Sequence, residues 1–450
     1  MTRSLLRASA LTAVLLFLIA TVALAQEPAS DQHHHHDESS MAGLFAAREA
    51  SGTAWIPEES PMFGIDRTIG QWTAMIDGSA FVQFLYEPGD FHRTGGVSND
   101  QFSSANWLMA MARRPAGKGR VGLRAMVSAE PWTVRDCGFI NILASGEMCE
   151  GDTIHDRQHP HDLFMELAAD YDRPIRGSLR WQVYGGLAGE PALGPPAFPH
   201  RISAMPNPIA PISHHWLDSS HISFGLITTG VSQQRWKAEV SVFNGREPDE
   251  SRADLDLGPL DSVSGRLTLM PTPRLALQVS AAHLNGAEAE FPPQPRSDIN
   301  RLTASATYHR MVGAAIWATT LAYGMNAGPE VIPGDVVDLT THAALLESSF
   351  SLRDRHTWFG RAELVGKPGH DLHIHATPAT IYTIGKIQAG YVRSFRPFDF
   401  AQGRPWSGVV LGAGGTASVS LVPPALVPRY PRRANPGFGV FGSIRAARHR

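Results

Sequence analysis

The chain has 450 residues, 43% hydrophobic, 18% charged and 8% aromatic, with a net charge of −3. A polytopic helical membrane protein needs several apolar stretches of about 20 residues, and only one long apolar run is present; a disordered chain is poorer in aromatic and β-branched residues. With 39 basic against 42 acidic residues there is no polybasic footprint, so no nucleic acid is expected as a partner.

The apolar run comes first. Arg3 and Arg7 precede an apolar core over 11–22, and Ala23-Leu24-Ala25 is a small-x-small cleavage pattern before Gln26. Residues 1–25 are therefore expected to be a cleaved signal peptide. Residues 26–71 read as a periplasmic segment carrying four consecutive histidines, His33, His34, His35 and His36, between Asp31 and Asp37. Its stretch 41–71 reads as a lead-in, with a plug as the alternative.

From 72 to 450 the pattern is alternating. Val121, Leu123, Ala125 and Val127 share one face while Arg120, Arg124 and Ser128 share the other; Trp236, Ala238, Val240 and Val242 oppose Lys237, Glu239 and Ser241. Period two predicts strands with one apolar face. The spacing predicts strands over 72–86, 101–113, 119–129, 163–172, 177–188, 221–232, 235–243 and 262–270. Eight more are expected over 274–284, 300–310, 313–325, 338–352, 356–366, 379–395, 407–421 and 437–445, and none of the sixteen contains proline.

The connections alternate in length. Long ones at 87–100, 130–162, 189–220, 244–261, 285–299 and 326–337 interleave with short ones at 114–118, 173–176, 233–234, 271–273, 311–312 and 353–355, the one long exception being 396–406. This predicts an all-β fold: a transmembrane antiparallel β-barrel of about 16 strands over 72–450, with long outer loops, short periplasmic turns and both termini periplasmic. The expected location is the bacterial outer membrane, its lipid a partner. Charges on the inner row tolerate a wet lumen, so Arg120, Arg124, Glu166, Asp170, Arg180, Lys237, Glu239, Arg301, Arg361 and Glu363 are expected to line the pore. Trp72, Trp107, Trp181, Trp236, Trp317 and Trp358 are expected in an interfacial girdle.

The loops hold most of the chemistry. Cys137 and Cys149 are the only cysteines, and after export they are expected to form a local disulfide. Candidate metal ligands, besides the tetrahistidine run, are His155, His159, His161 and Asp162 in the second long loop. His214, His215, Asp218 and His221 follow in or beside the third, and His370, His373 and His375 in the seventh. Imidazole with carboxylate suits Cu or Zn, and Met205 adds a soft donor. The structural alternative is that these histidines cap turns or face solvent. No GxSxG, Walker, HExxH or CxxC motif is present, so no catalytic residue and no enzyme activity is expected.

Several segments carry a resemblance: Gly52-Thr-Ala-Trp-Ile-Pro57, Asp156-Arg-Gln-His-Pro-His-Asp-Leu-Phe-Met-Glu-Leu-Ala168, Gly189-Glu-Pro-Ala-Leu-Gly-Pro195, Ser213-His-His-Trp-Leu-Asp218 and Phe243-Asn-Gly-Arg-Glu-Pro-Asp-Glu250. The chain resembles a family of uncharacterised, exported, porin-like bacterial proteins associated with heavy-metal, including copper, resistance. The resemblance implies an outer-membrane barrel with a copper connection and transfers no functional residue. The leading expectation is a porin-like channel for small polar solutes or ions; the alternatives are a metal-chelating outer-membrane or periplasmic protein and an outer-membrane hydrolase. The oligomeric state is left open.

Overall fold

A computed structural model describes residues 46–88, 99–288, 296–332, 335–399, 404–405 and 408–448. The signal sequence and His33–His36 lie outside the described residues. Chain order begins with a short strand β1 (Ile65–Ile69), then β2 (Trp72–Tyr86), β3 (Asp100–Ala116) and β4 (Gly119–Val127). A hairpin of β5 (Phe139–Cys149) and β6 (Asp152–Gln158) follows, then β7 (Phe164–Arg176), β8 (Leu179–Ala188), β9 (Leu226–Gln233), β10 (Trp236–Phe243), β11 (Ser262–Thr272) and β12 (Leu275–Glu288). The series continues with β13 (Ser297–Val312), β14 (Ala315–Ile332), β15 (Asp335–Leu352), β16 (His356–Pro368) and β17 (Ile381–Phe395). After a small ladder of β18 (Phe398–Asp399) with β19 (Arg404–Pro405) come β20 (Val409–Leu421) and β21 (Ala434–Ala446).

Sixteen of these form the wall, each antiparallel to its neighbour, and β2 closes on β21 from Ser79↔Arg445 to Tyr86↔Phe438. Closure pairs the backbone without leaving an edge, which is what a sheet needs inside a bilayer. The short turns and both ends of the wall gather at one rim, and the long loops at the other, as the alternating connection lengths predict.

The period-two rows sort as expected. On β15, Thr341, Ala343, Leu345, Glu347 and Ser349 are buried, while Ala344, Leu346 and Phe350 are exposed on the outside. The same outer surface carries Leu123, Val240, Val279, Leu302, Leu321, Leu364, Ile387 and Val440. An apolar outer belt over a polar inner row is the dress of an outer-membrane barrel. Leu346→Arg, on this belt, is expected to destabilise the barrel by roughly 2–4 kcal/mol if it lies at midplane; urea-dependent refolding into lipid vesicles measures it.

Several elements differ from the sequence reading. The strands of the 326–337 region run on to Ile332 and resume at Asp335, so the expected long loop there is nearly all ladder. Residues 221–225 belong to the preceding loop, held by the Ser219–His221 turn, and β9 starts at Leu226. Prolines do occur within strands, but near their ends: Pro115 and Pro174 stand by the turn rim, the latter beside a register shift, and Pro368 pairs with Ile381 at the last rung of its ladder. Near a ladder's end the missing N–H costs little. Trp72, Trp181, Trp236, Trp317 and Trp358 all start strands on the turn rim; Trp107 instead faces inward and is buried. Its odd-numbered row on β3 is the inner one, and the indole packs on His200 at 4.8 Å.

The core lies within the barrel. Ile140, Ile142, Leu143 and Ala144 of the hairpin and Ile212, Trp216 and Leu217 of the third loop pack against Ala322, Ala343, Leu345, Val365 and Ile384 of the wall. Gly324 lets this happen: a Cβ there would sit 2.3 Å from the Trp216 carbonyl oxygen. Residues 46–63 also enter the barrel, where Ala54, Trp55 and Ile56 are buried. A lead-in lying outside does not describe this stretch. Inward-facing Arg and Lys on the wall need acceptors once water is excluded, and this stretch supplies them.

Candidate functional site

The ten charged residues expected to line the pore stand on inward rows, but the segments filling the barrel engage most of them. Glu49 bonds Arg120 at 2.8 Å and pairs with Arg113; Arg124 donates to the Gly52 carbonyl at 2.6 Å and faces Asp170 at 3.5 Å and Glu166 at 3.8 Å. Asp172 ties Arg120 to Arg180, at 2.6 Å each. Lys237 donates to the Thr53 carbonyl at 2.5 Å and pairs with Glu239 at 3.0 Å. Arg301 donates to Ser219 at 2.9 Å, Arg361 to the Ile209 carbonyl at 2.8 Å, and Glu363 accepts from the Ser213 hydroxyl at 2.7 Å. A channel lined by free charges is thus replaced by a wall whose charges hold a filling in place.

The third loop is pinned by Arg201, which sequence reading passed over. Its guanidinium donates to Asp218 Oδ2 at 2.5 Å, to Glu347 Oε1 at 2.7 Å and to the Pro196 carbonyl at 2.9 Å, with all three charged side chains 1% exposed. The hairpin of the second loop is held by Lys386, which bridges Glu87 at 2.6 Å and Asn141 at 2.8 Å, and by Lys367 on Ser145 at 2.5 Å. The Cys137–Cys149 disulfide ties the residues ahead of β5 to its far end, beside the 150–151 turn.

This folding brings together histidines far apart in sequence. His159, His161, His214, His215 and His221 form one buried cluster, with ring centroids 5.9 Å apart for His159–His214, 5.5 Å for His214–His215, 5.2 Å for His214–His221 and 5.3 Å for His161–His221. Each ring is held at its δ nitrogen. Asp218 Oδ1 holds His214 at 2.8 Å and the Asp218 carbonyl holds His221 at 2.7 Å; Glu130 holds His161 at 2.9 Å, Glu247 meets His215 at 3.1 Å, and the Pro160 carbonyl meets His159 at 3.1 Å. The buried ε nitrogens of His159, His215 and His221 have no hydrogen-bond partner, although Glu147 stands 3.1 Å from that of His159, off the line of a bond. A δ nitrogen fixed by a carboxylate or carbonyl with the ε nitrogen left over is how proteins prepare imidazole for a metal.

The electrostatics agree. Burial, then Arg252 and the neighbouring imidazoles, holds His159 well below its ordinary value, and burial with His214 and His161 does the same to His221. Neutral imidazole is the ligating form. For His161 burial acts downward too, but Glu130 outweighs it and the ring is pushed up. Burial pushes Asp162 up to about 7 despite Arg252, 3.5 Å away; it pairs with that arginine rather than joining the histidines.

The other candidates fall elsewhere. His155 stacks on His373 at 3.8 Å between centroids, with His375 6.1 Å from His373. His370 Nδ1 lies 2.8 Å from Glu330 and 3.2 Å from Asp371, and one donor atom from each of the three falls within 4.8 Å of the others. His215 and His370 both line one cavity of about 70 Å³ at the loop rim, together with Glu147, Glu247, Glu330 and Asp371. Gly146 makes room for it: a Cβ there would lie 2.4 Å from His215 Nε2. Sequence reading missed Glu130, Glu147, Glu247, Glu330 and Asp371. The available signals were Glu247, inside a segment already singled out, and Asp371, directly beside His370. The donor set of imidazole and carboxylate fits Cu(II) or Zn(II).

No family model and no curated protein matches the chain. Among solved structures it is similar to the outer membrane channel DcaP of Acinetobacter baumannii, with 9% identity over 85% of this chain and 100% of that one and a TM-score of 0.47. It is likewise similar to OmpF of Salmonella typhi, with 9% identity over 85% and 100% and a TM-score of 0.47. An anion-selective porin from Comamonas acidovorans gives 10% identity over 83% and 99%, at a TM-score of 0.46.

Proposed function

We propose that this protein is an outer-membrane barrel that binds Cu(II) or Zn(II) inside its lumen and passes such cations while excluding larger polar solutes. Two observations support it: five imidazoles from two loops are buried together within the barrel, and beside them, among the described residues, one donor atom each of Glu330, His370 and Asp371 falls within 4.8 Å of the others. The filling supports the exclusion of larger solutes, since the wall charges that would draw them are occupied. In this reading residues 1–25 direct export and are removed, His33–His36 collect metal on the periplasmic side, and residues 72–450 form the barrel. The copper association implied by the sequence resemblance points to the same class of cation.

Proteoliposomes carrying the purified chain and a zinc-sensitive dye test the proposal. Saturable Zn(II) entry is expected, with far smaller conductance steps in potassium chloride than an open sixteen-strand pore gives. Large steps with unsaturable entry return the chain to a general porin. Tight binding without entry leaves a chelating protein.

A further inference from the structure

Five methionines converge on one cavity near the turn rim, away from the histidine cluster. Met62, Met75, Met109, Met111 and Met205 line it with His200. They come from four separate stretches: the N-terminal segment, β2, β3 and the third loop. Met75 and Met111 are direct partners across the β2–β3 ladder, and Met109 faces Met126 across β3–β4. The chain has thirteen methionines, so five on one cavity is a concentration. On other strands the buried inward row carries polar side chains such as Lys237, Glu239, Arg266, Gln278, Ser280 and Thr303, or aliphatic ones such as Leu345 and Val365 where the filling packs; on these adjacent strands thioethers take those places.

We propose that this cavity binds a soft monovalent cation, Cu(I) or its analogue Ag(I), through the thioethers of Met75, Met109 and Met111, with Met62, Met205 and the imidazole of His200 completing the donor set. Thioether sulfur selects Cu(I) among biological cations, and it offers no hard oxygen shell for Ca²⁺ or Mg²⁺. His200 lies against Trp107 and brings an imidazole to the cavity beside the thioethers. Of the charged groups on the cavity, Arg124 is committed to the Gly52 carbonyl and Glu49 to its two arginines. Asp77 also lines the cavity and accepts from the Gly78 amide at 2.7 Å. A smaller cavity lined by Met126 and Met165 shares His200 with this site and contains His221 of the histidine cluster. Sulfur and imidazole donors therefore run from the turn rim to the cluster. The site uses other donors than the cluster and stands or falls apart from it.

Packing is the competing explanation, because methionine fills irregular apolar gaps, and a packing role predicts that leucine substitutes freely. The full chain, with His33–His36 replaced by alanine, is titrated with Ag(I) in chloride-free buffer. One tight site is expected. The Met75→Leu, Met109→Leu, Met111→Leu variant is near in volume and should bind Ag(I) at least about a hundredfold more weakly, three donors having gone. Its Zn(II) binding at the histidine cluster should be unchanged. In the unsubstituted chain the ¹³C methyl resonances of these methionines should shift on adding Ag(I), which decides the matter if the triple variant fails to fold. Equal Ag(I) affinity in the leucine variant, or methionine methyls that ignore Ag(I), overturns the proposal.

Discussion

Arg201→Ala is expected to open the barrel. The guanidinium holds the third loop to the wall by serving Asp218 and Glu347 at once, and no charged member of the set is more than 1% exposed. Removing one partner of a buried charge network typically costs about 3–5 kcal/mol, because the remaining charges stay desolvated. At 1.4 kcal/mol per tenfold, that is about a hundredfold to several thousandfold in the ratio of docked to undocked loop. Planar-bilayer recordings should show larger and more frequent conductance steps than the parent chain, and Arg201→Lys should recover only part of the closure, since an ammonium cannot reproduce the planar fork. Unaltered conductance would remove the loop as the occluding element. Acid should act in the same direction. Burial alone would raise Asp218, but Arg201 foremost, then His214 and His221, hold its carboxyl far below the usual range. A depressed carboxylate contributes stability that is complete above its unfolded value of about 4 and is lost as pH falls through the folded value. Conductance of the parent chain should therefore rise as the pH drops below about 4.

The second large effect concerns metal. With His33–His36 replaced by alanine to silence the N-terminal run, His159→Ala, His214→Ala, His215→Ala and His221→Ala together should abolish tight Zn(II) and Cu(II) binding by the barrel. Asp218→Asn is the finer probe. It removes no ligand nitrogen, yet it weakens the acceptor that holds His214 at 2.8 Å, and loss of such an outer partner costs about 10–100-fold in metal affinity. Isothermal titration measures both. Because protons compete for the same nitrogens, affinity should fall steeply below about pH 6. An unchanged titration in the fourfold variant would leave the cluster as packing and direct attention to His370, Glu330 and Asp371.

Three of the segments that carry the sequence resemblance, 52–57, 189–195 and 213–218, share a place. Gly52 and Thr53, Glu190, His214, His215 and Asp218 all lie inside the barrel, and Gly52 packs directly on Glu190. Nothing in their spacing points there. Loop residues have no period to read, so their direction depends on which wall charges are left without water and which small residues, such as Gly324, open room against the wall. The 139–158 hairpin escaped notice for a related reason. It is a ladder inside a loop, with Leu143, Glu147 and Asp156 at positive φ, and its alternation is broken by bulges.

What the sequence determined by itself was the wall: sixteen strands, their register of apolar and polar rows, the alternation of turns and loops, and the pairing of the only two cysteines. These follow from local rules, because a pleated strand at a lipid boundary must repeat every two residues whatever surrounds it. Only the tertiary structure decided that the lumen is filled, that His159 and His161 meet His214, His215 and His221 while His155 joins His373, and that methionines from four stretches share a cavity. The histidine meetings link residues more than fifty positions apart, and the methionines come from separate strands and loops; closure of the ring sets these distances, which no local pattern encodes.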